Sequence, residues 1–254
     1  MLEAKPLNRI LFLDIETTSQ SKTFADLNEK TQKLFLKRFV KDKTEYLEKM
    51  PNKEKAKEIE KIYSERTPIY AEWGKILCIS VGVLIQVAEK QWKLKVKSFY
   101  SHNEKELLTE FINKLGDQLS VLSGPNAWGL CAHNLKVFDA PFIAKRLIVN
   151  GIALPPMFDF GGRKPWDLNY LIDTKEVWKF SVFDGSVSLD ILANIFNVPS
   201  SKDDIDGSQV KDIYYKEKDG LDRIVKYCEK DVLALARIYF KMKWMEDTID
   251  EIIH

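Results

Sequence analysis

Cysteine and histidine are scarce in this chain. There are three of each, no C-x-x-C occurs, and His102, His133 and His254 are scattered. A structural zinc site is therefore not expected. The count of thiols is odd, Cys78, Cys131 and Cys228, each in an apolar or helical stretch, which argues against a disulfide framework. It fits buried, reduced cysteines in a cytosolic protein. Neither sign of charge is in excess: the net charge is +1, which excludes steering of an anionic partner by overall charge. No apolar run is long enough to span a bilayer, and the opening MLEAKPLNR lacks the apolar core of a secretory signal. Internal repeats and low-complexity linkers are missing too. The expectation is a cytoplasmic protein with no membrane partner.

What is present is ordinary for a folded domain: 45% apolar and 30% charged residues over 254 positions. That length suits one large domain, or one domain carrying an insertion, with a substantial core. Ile10–Asp14 reads as a central strand. Lys75–Gln86 (KILCISVGVLIQ) is a second strand. Trp92–Tyr100, where Trp92, Leu94 and Val96 alternate with Lys93, Lys95 and Lys97, is a half-exposed third. The three are expected to form an antiparallel meander. A helix follows at Glu104–Leu115, a short strand at Leu130–Ala132, and a helix from about Asp139 to Asn150, ended by Gly151. Leu168–Thr174 reads as a fifth strand, Leu189–Asn197 as a helix capped by Ser188, and Leu221–Lys243 as the last helix. Strands first and strand–helix alternation later predict an α/β fold, a mixed sheet flanked by helices.

Residues 22–66 differ in composition. They read as two charged amphipathic helices separated by Pro51. The segment holds thirteen Lys and Arg against nine Asp and Glu, a net +4, which leaves −3 for the remainder. It is expected to be a helical insertion within a single 1–254 domain. Its charge fits a solvated arm; it also fits a guide that brings a polyanion toward an acidic site.

The chemistry-bearing pattern begins in LFLDIETTSQ, residues 11–20. Asp14 and Glu16, at i and i+2 of a strand, share one face. Two carboxylates so placed repel unless a proton or a cation bridges them. Alone, D-x-E also fits an exposed strand end. Asp139 lies where a short strand passes into a helix, the edge of an α/β sheet where sites collect; a helix cap is the alternative, as a turn is for Asn134. Tyr227 and Asp231, at i and i+4, share a helix face beside an apolar stripe of Val225, Cys228, Val232 and Leu235.

In this order, D-x-E, then N-x-x-x-F-D, then Y-x-x-x-D, the chain resembles the DEDD 3′–5′ exonuclease superfamily, in its tyrosine subgroup. HNLKVFDAPFIAKR and YCEKDV look most like the proofreading exonuclease domain of family B DNA polymerases and its stand-alone bacterial relatives. The resemblance covers Ile10–Thr18 and roughly Lys75–Lys243, and leaves out residues 22–66. It implies a ribonuclease H-like mixed sheet of about five strands with helices on both sides. It also implies a metal-dependent 3′–5′ exonuclease that releases nucleoside monophosphates from single-stranded nucleic acid, DNA favoured over RNA. Asp14, Glu16, Asp139 and Asp231 would hold two divalent cations, and oxygen donors alone select Mg²⁺ or Mn²⁺. Asp14 would bridge the ions, Glu16 and Asp231 would complete the site of the ion that activates water, and Asp139 would hold the second. Tyr227 would orient the attacking water, since a phenol pKa near about 10 makes a poor base at neutral pH. Thr17, Asn134 and Phe138 would contact the substrate, although Phe138 equally fits the core. Two other readings stand beside this one: a catalytically silent nucleic-acid-binding or scaffold module of the same fold, and an RNA-trimming exoribonuclease. KDDIDGSQ lacks the spacing of a calcium loop and reads as a turn. Trp73, Trp166 and Trp178 suit packing better than base stacking.

Overall fold

The computed structural model describes residues 5–41, 47–183, 185–199 and 204–253. Parts of two predicted segments, 42–46 in the helical insertion and 200–203 in the polar loop, lie outside the described residues, as does His254. The continuous apolar start of β1 (Ile10–Ser19) makes it a central strand buried on both faces. It pairs antiparallel with β2 (Gly74–Ala88), which pairs antiparallel with β3 (Gln91–Tyr100), as the sequence predicts. On its other side β1 runs parallel to β4 (Gly129–Ala132), and β4 runs parallel to β5 (Leu171–Asp173). A strand beyond the expected five, β6 (Thr248–Ile253), joins parallel to β3 and completes the order β5-β4-β1-β2-β3-β6. Its six residues, TIDEII, are too few for a strand period to stand out after a long helix.

Among the described residues the main helices are α1 (Glu29–Phe39), α2 (Asn52–Arg66), α3 (Glu104–Ser120), α4 (Asp139–Val149), α5 (Thr174–Lys179), α6 (Leu189–Ile195), α7 (Val210–Lys216) and α8 (Gly220–Met242). Ser188 caps α6 as expected, accepting the Ile191 N–H. Strand register decides which helix meets which face. Directly paired residues share a face, so Asp14 with Ser80 and Glu16 with Cys78 form one row, and Ile15 with Ile79 and Phe99 the other. The second row packs on α3, where Phe99 meets Phe111 edge-on at 5.4 Å. The first row faces α8: Phe12 meets Tyr239 at 5.5 Å, and Cys78 clusters with Val225 and Cys228. Gly82 lies in that row, and a Cβ there would stand 2.9 Å from Val232 Cγ1, so a side chain would push α8 off the sheet.

The chain leaves the sheet after β1 and returns at β2, and α1 and α2 fill the excursion. Their inner faces pack a small core of Phe35, Val40, Leu47, Ile59, Ile62 and Tyr63, closed by Trp73. Polar contacts root this arm at the end of β1. The Tyr63 hydroxyl donates to the Ser21 carbonyl, the Tyr215 hydroxyl to the Ser19 carbonyl, and the Lys211 ammonium to Ser64 Oγ at 2.7 Å.

Candidate active site

Three carboxylates converge between β1 and α8. Asp14, Glu16 and Asp231 each offer an oxygen, and these atoms all lie within 4.8 Å of one another. β1 supplies the first two because i and i+2 point the same way, toward α8. Helix α8 supplies the third because Asp231 lies on the buried stripe that carries Tyr227, Cys228, Val232 and Leu235. The β1–β2 ladder slips by one residue between Glu16 and Thr17, just past the acids, and then resumes as far as Ser19.

Asp139 stands outside that triad but is electrostatically part of it. It opens α4 and is 3% exposed. The backbone of Ile15, the residue between Asp14 and Glu16, acts to lower the pKa of the Asp139 carboxyl. Its Oδ2 is buried without a hydrogen-bond partner. Burial pushes the Asp139 carboxyl up to about 7, and the charge of Asp173 adds to that rise. Burial and then Asp231 raise both Asp14 and Glu16 well above the ordinary carboxylate range, and Asp139 contributes to each. One contact opposes this at Asp14, whose Oδ2 accepts the Cys228 thiol at 3.3 Å. Four acids crowded out of water are stable when they hold protons or surround cations. The oxygen-only donor set and the unpartnered Oδ2 of Asp139 fit hard divalent ions.

Tyr227 is 7% exposed, on the same face as Asp231 and hydrogen-bonded to it. Burial, then the charges of Asp231, Glu16 and Asp14, push its phenol far above the usual range, so the hydroxyl keeps its proton. Thr17 is buried, and its hydroxyl donates to the Pro68 carbonyl at 2.7 Å. Asn134 has φ +74° and forms a turn whose carbonyl accepts the N–H groups of Val137 and Phe138. Phe138 is half-buried against Phe142 at 5.5 Å. The KDDIDGSQ stretch is a turn at Gly207–Gln209, capped by Asp206, whose charge reaches Glu16. Of the three tryptophans, Trp73 packs in the arm's core, Trp178 lies on Phe196, and Trp166 is 70% exposed.

Two supporting residues were not singled out by the sequence pattern. Asp173 ends β5 and caps α5, and its carboxylate also accepts the N–H groups of Asn134 and Lys136. The signal for the cap was the run D-T-K-E after a short apolar strand; nothing local indicates the second pair of donors. Cys228 entered only as part of an apolar stripe, yet its thiol touches Asp14.

A family model described as "Predicted 3'-5' exonuclease related to the exonuclease domain of PolB" matches residues 72–253. That range contains Asp139, Tyr227 and Asp231 and begins after β1 and the helical arm. No curated protein matches the chain. Among solved structures, the family B DNA polymerase from the hyperthermophilic archaeon Pyrobaculum calidifontis aligns with a TM-score of 0.51 and 15% identity, over 95% of this chain and 26% of that one. This chain thus corresponds to about a quarter of that polymerase's length. The likeness establishes a shared fold, the ribonuclease H-like mixed sheet flanked by helices. With the model spanning β2 to β6 and the acids of α4 and α8, the chain belongs to the family of predicted 3′–5′ exonucleases related to the exonuclease domain of PolB.

Proposed function

We propose that this chain is a divalent-metal-dependent 3′–5′ exonuclease that trims single-stranded nucleic acid, DNA in preference to RNA, to nucleoside monophosphates. The observation that carries the reading is the buried meeting of Asp14, Glu16 and Asp231 within 4.8 Å, with Asp139 beside them. Asp14, Glu16, Asp139 and Asp231 would hold two ions, Mg²⁺ or Mn²⁺. Such a pair, when bound, supplies an activated water and stabilises the oxygen that departs. The chain's own groups do the rest. Tyr227, held protonated, is not a base, and its hydroxyl beside Asp231 would orient the water instead of taking its proton. The Thr17 proton is committed to Pro68, which leaves the hydroxyl's lone pairs to accept from a terminal sugar. Asn134 and Phe138, on the turn that leads into Asp139, would contact the strand. DNA is favoured because the family is related to the exonuclease domain of a DNA polymerase. Residues 1–254 would act as one exonuclease unit in the cytoplasm, with residues 22–66 inserted in it.

Digestion of matched 3′- and 5′-labelled DNA and RNA strands, with Mg²⁺, Mn²⁺ or chelator, tests the reading. Shortening from the 3′ end, monophosphate products and loss of both with chelator are expected. Binding without cutting would favour a silent module, and cutting confined to RNA would make the enzyme an RNA trimmer.

A further inference from the structure

Helix α1 carries a row of exposed lysines. Its buried side is set by Phe35, with Leu36 and Phe39 half-buried next to it. At 100° per residue, Lys30, Lys33 and Lys37 fall on the opposite side, and all three are exposed. None has an ion-pair partner among the described residues. Other exposed lysines do have partners, as in Lys90–Glu246, Lys97–Glu110, Lys145–Glu72 and Lys216–Asp212. Lys30–Lys33 and Lys33–Lys37, at i,i+3 and i,i+4, are like-charge neighbours that destabilise the helix. A solubilising face would be better served by mixed signs.

We propose that this face of α1 is a docking track for the phosphate backbone of the single strand, outside the cutting site. The identity of the occupant rests on the exonuclease reading; the geometry does not. The C-terminal part of the arm is rooted at the end of β1, through the Tyr63–Ser21 and Thr17–Pro68 contacts, next to Glu16. The eleven residues of α1 span about 16 Å, long enough to run along several nucleotides of a strand. Charge supports the same occupant. The arm holds a net +4 while the rest of the chain holds −3, and a polyanion entering a nest of carboxylates needs cations near the entrance. The family match begins at residue 72, so the track belongs to this chain's own arm.

The test is anisotropy of a 20-nucleotide labelled single strand with the full chain in EDTA, across a salt series. Three proteins are compared: wild type, Lys30→Glu/Lys33→Glu/Lys37→Glu, and Lys105→Glu/Lys114→Glu on α3 as a control for charge reversal elsewhere on the surface. The α1 variant should bind at least tenfold more weakly, and its slope of log affinity against log salt should be shallower by about 2, since each phosphate contact to a single strand contributes about 0.7. Circular dichroism should show the fold unchanged. An unchanged affinity and slope would overturn the proposal, as would an equal loss in the α3 variant. Wild-type digestion separates the two claims: strand cutting with arm-independent binding removes the track alone, and arm-dependent binding without cutting removes the nuclease reading.

Discussion

The carboxylate of Asp173 accepts the backbone N–H of Asn134 at 3.0 Å, and so joins the end of β5 to the turn that delivers Asp139. The same carboxylate takes the N–H groups of Lys136, Lys175 and Glu176, which makes one 4%-exposed side chain the clasp between two loops at the site's edge. Asp173→Ala removes a helix cap, about 1 kcal/mol, and leaves buried donors unpaired, about 1–3 kcal/mol. A destabilisation of about 2–4 kcal/mol in urea unfolding is expected, with Asp173→Asn intermediate. A loss under 0.5 kcal/mol, by the ordinary scale of surface changes, would mean the clasp is not needed.

A second buried anchor holds the other end of α4. Arg146 and Glu104, 5% and 8% exposed, form a pair through the guanidinium Nε at 2.9 Å, and Glu104 also accepts the Ile76 N–H at 2.7 Å. Breaking such a pair strands a charge, so Arg146→Met should cost about 3–5 kcal/mol. Glu104→Leu added to it should recover part of that loss, because the stranded charge is then gone. If the double variant is as unstable as the sum of the singles, the coupling is absent.

The crowded acids set a pH dependence with a definite sign. Asp14, Glu16 and Asp139 titrate above ordinary carboxylates, Asp139 near about 7. Between about pH 4, where unfolded carboxylates ionise, and about pH 7, the folded chain keeps protons that the unfolded chain has lost. Stability of the metal-free protein therefore falls as pH rises through this window. Thermal melts in chelator should show Tm declining from pH 5 to pH 8, and Asp139→Asn should flatten the decline. Added Mn²⁺ should raise Tm more at pH 8 than at pH 5, since ligands must be deprotonated to bind. A metal-free Tm that climbs over this range contradicts the assignment.

Tyr227 and Asp231 share a face but not a task. Asp231→Ala should abolish metal-dependent strand hydrolysis. Tyr227→Phe should slow it by about 10²-fold, the lower end for a lost proton-handling group, while Mn²⁺ binding by calorimetry stays within a factor of two or so of wild type. Because the phenol keeps its proton, the wild-type rate should show no tyrosine ionisation up to about pH 9. An unchanged rate in Tyr227→Phe removes the hydroxyl from the mechanism.

Much of this was legible in the sequence, for a local reason. Asp14 and Glu16, or Tyr227 and Asp231, are brought together by the period of one strand or one helix, and the apolar runs around them mark the buried side. The β1–β2–β3 meander was legible from the same alternation. What was not legible depends on register between distant segments. Asp173 reads as a cap, but its second pair of donors comes from a turn 37 and 39 residues earlier. Glu104 and Arg146 are 42 residues apart on different helices, each reading singly as a surface charge. The arm's charge was plain, but that its inner face builds a core around Phe35 and Tyr63 follows only from how α1 meets α2.

The most direct measurement is the anomalous map of crystals soaked in Mn²⁺. Two peaks are expected between β1 and α8, in contact with Asp14, Glu16, Asp139 and Asp231, and Asp14→Ala crystals should lose them. A fully soaked crystal with no manganese at those four carboxylates would contradict the account.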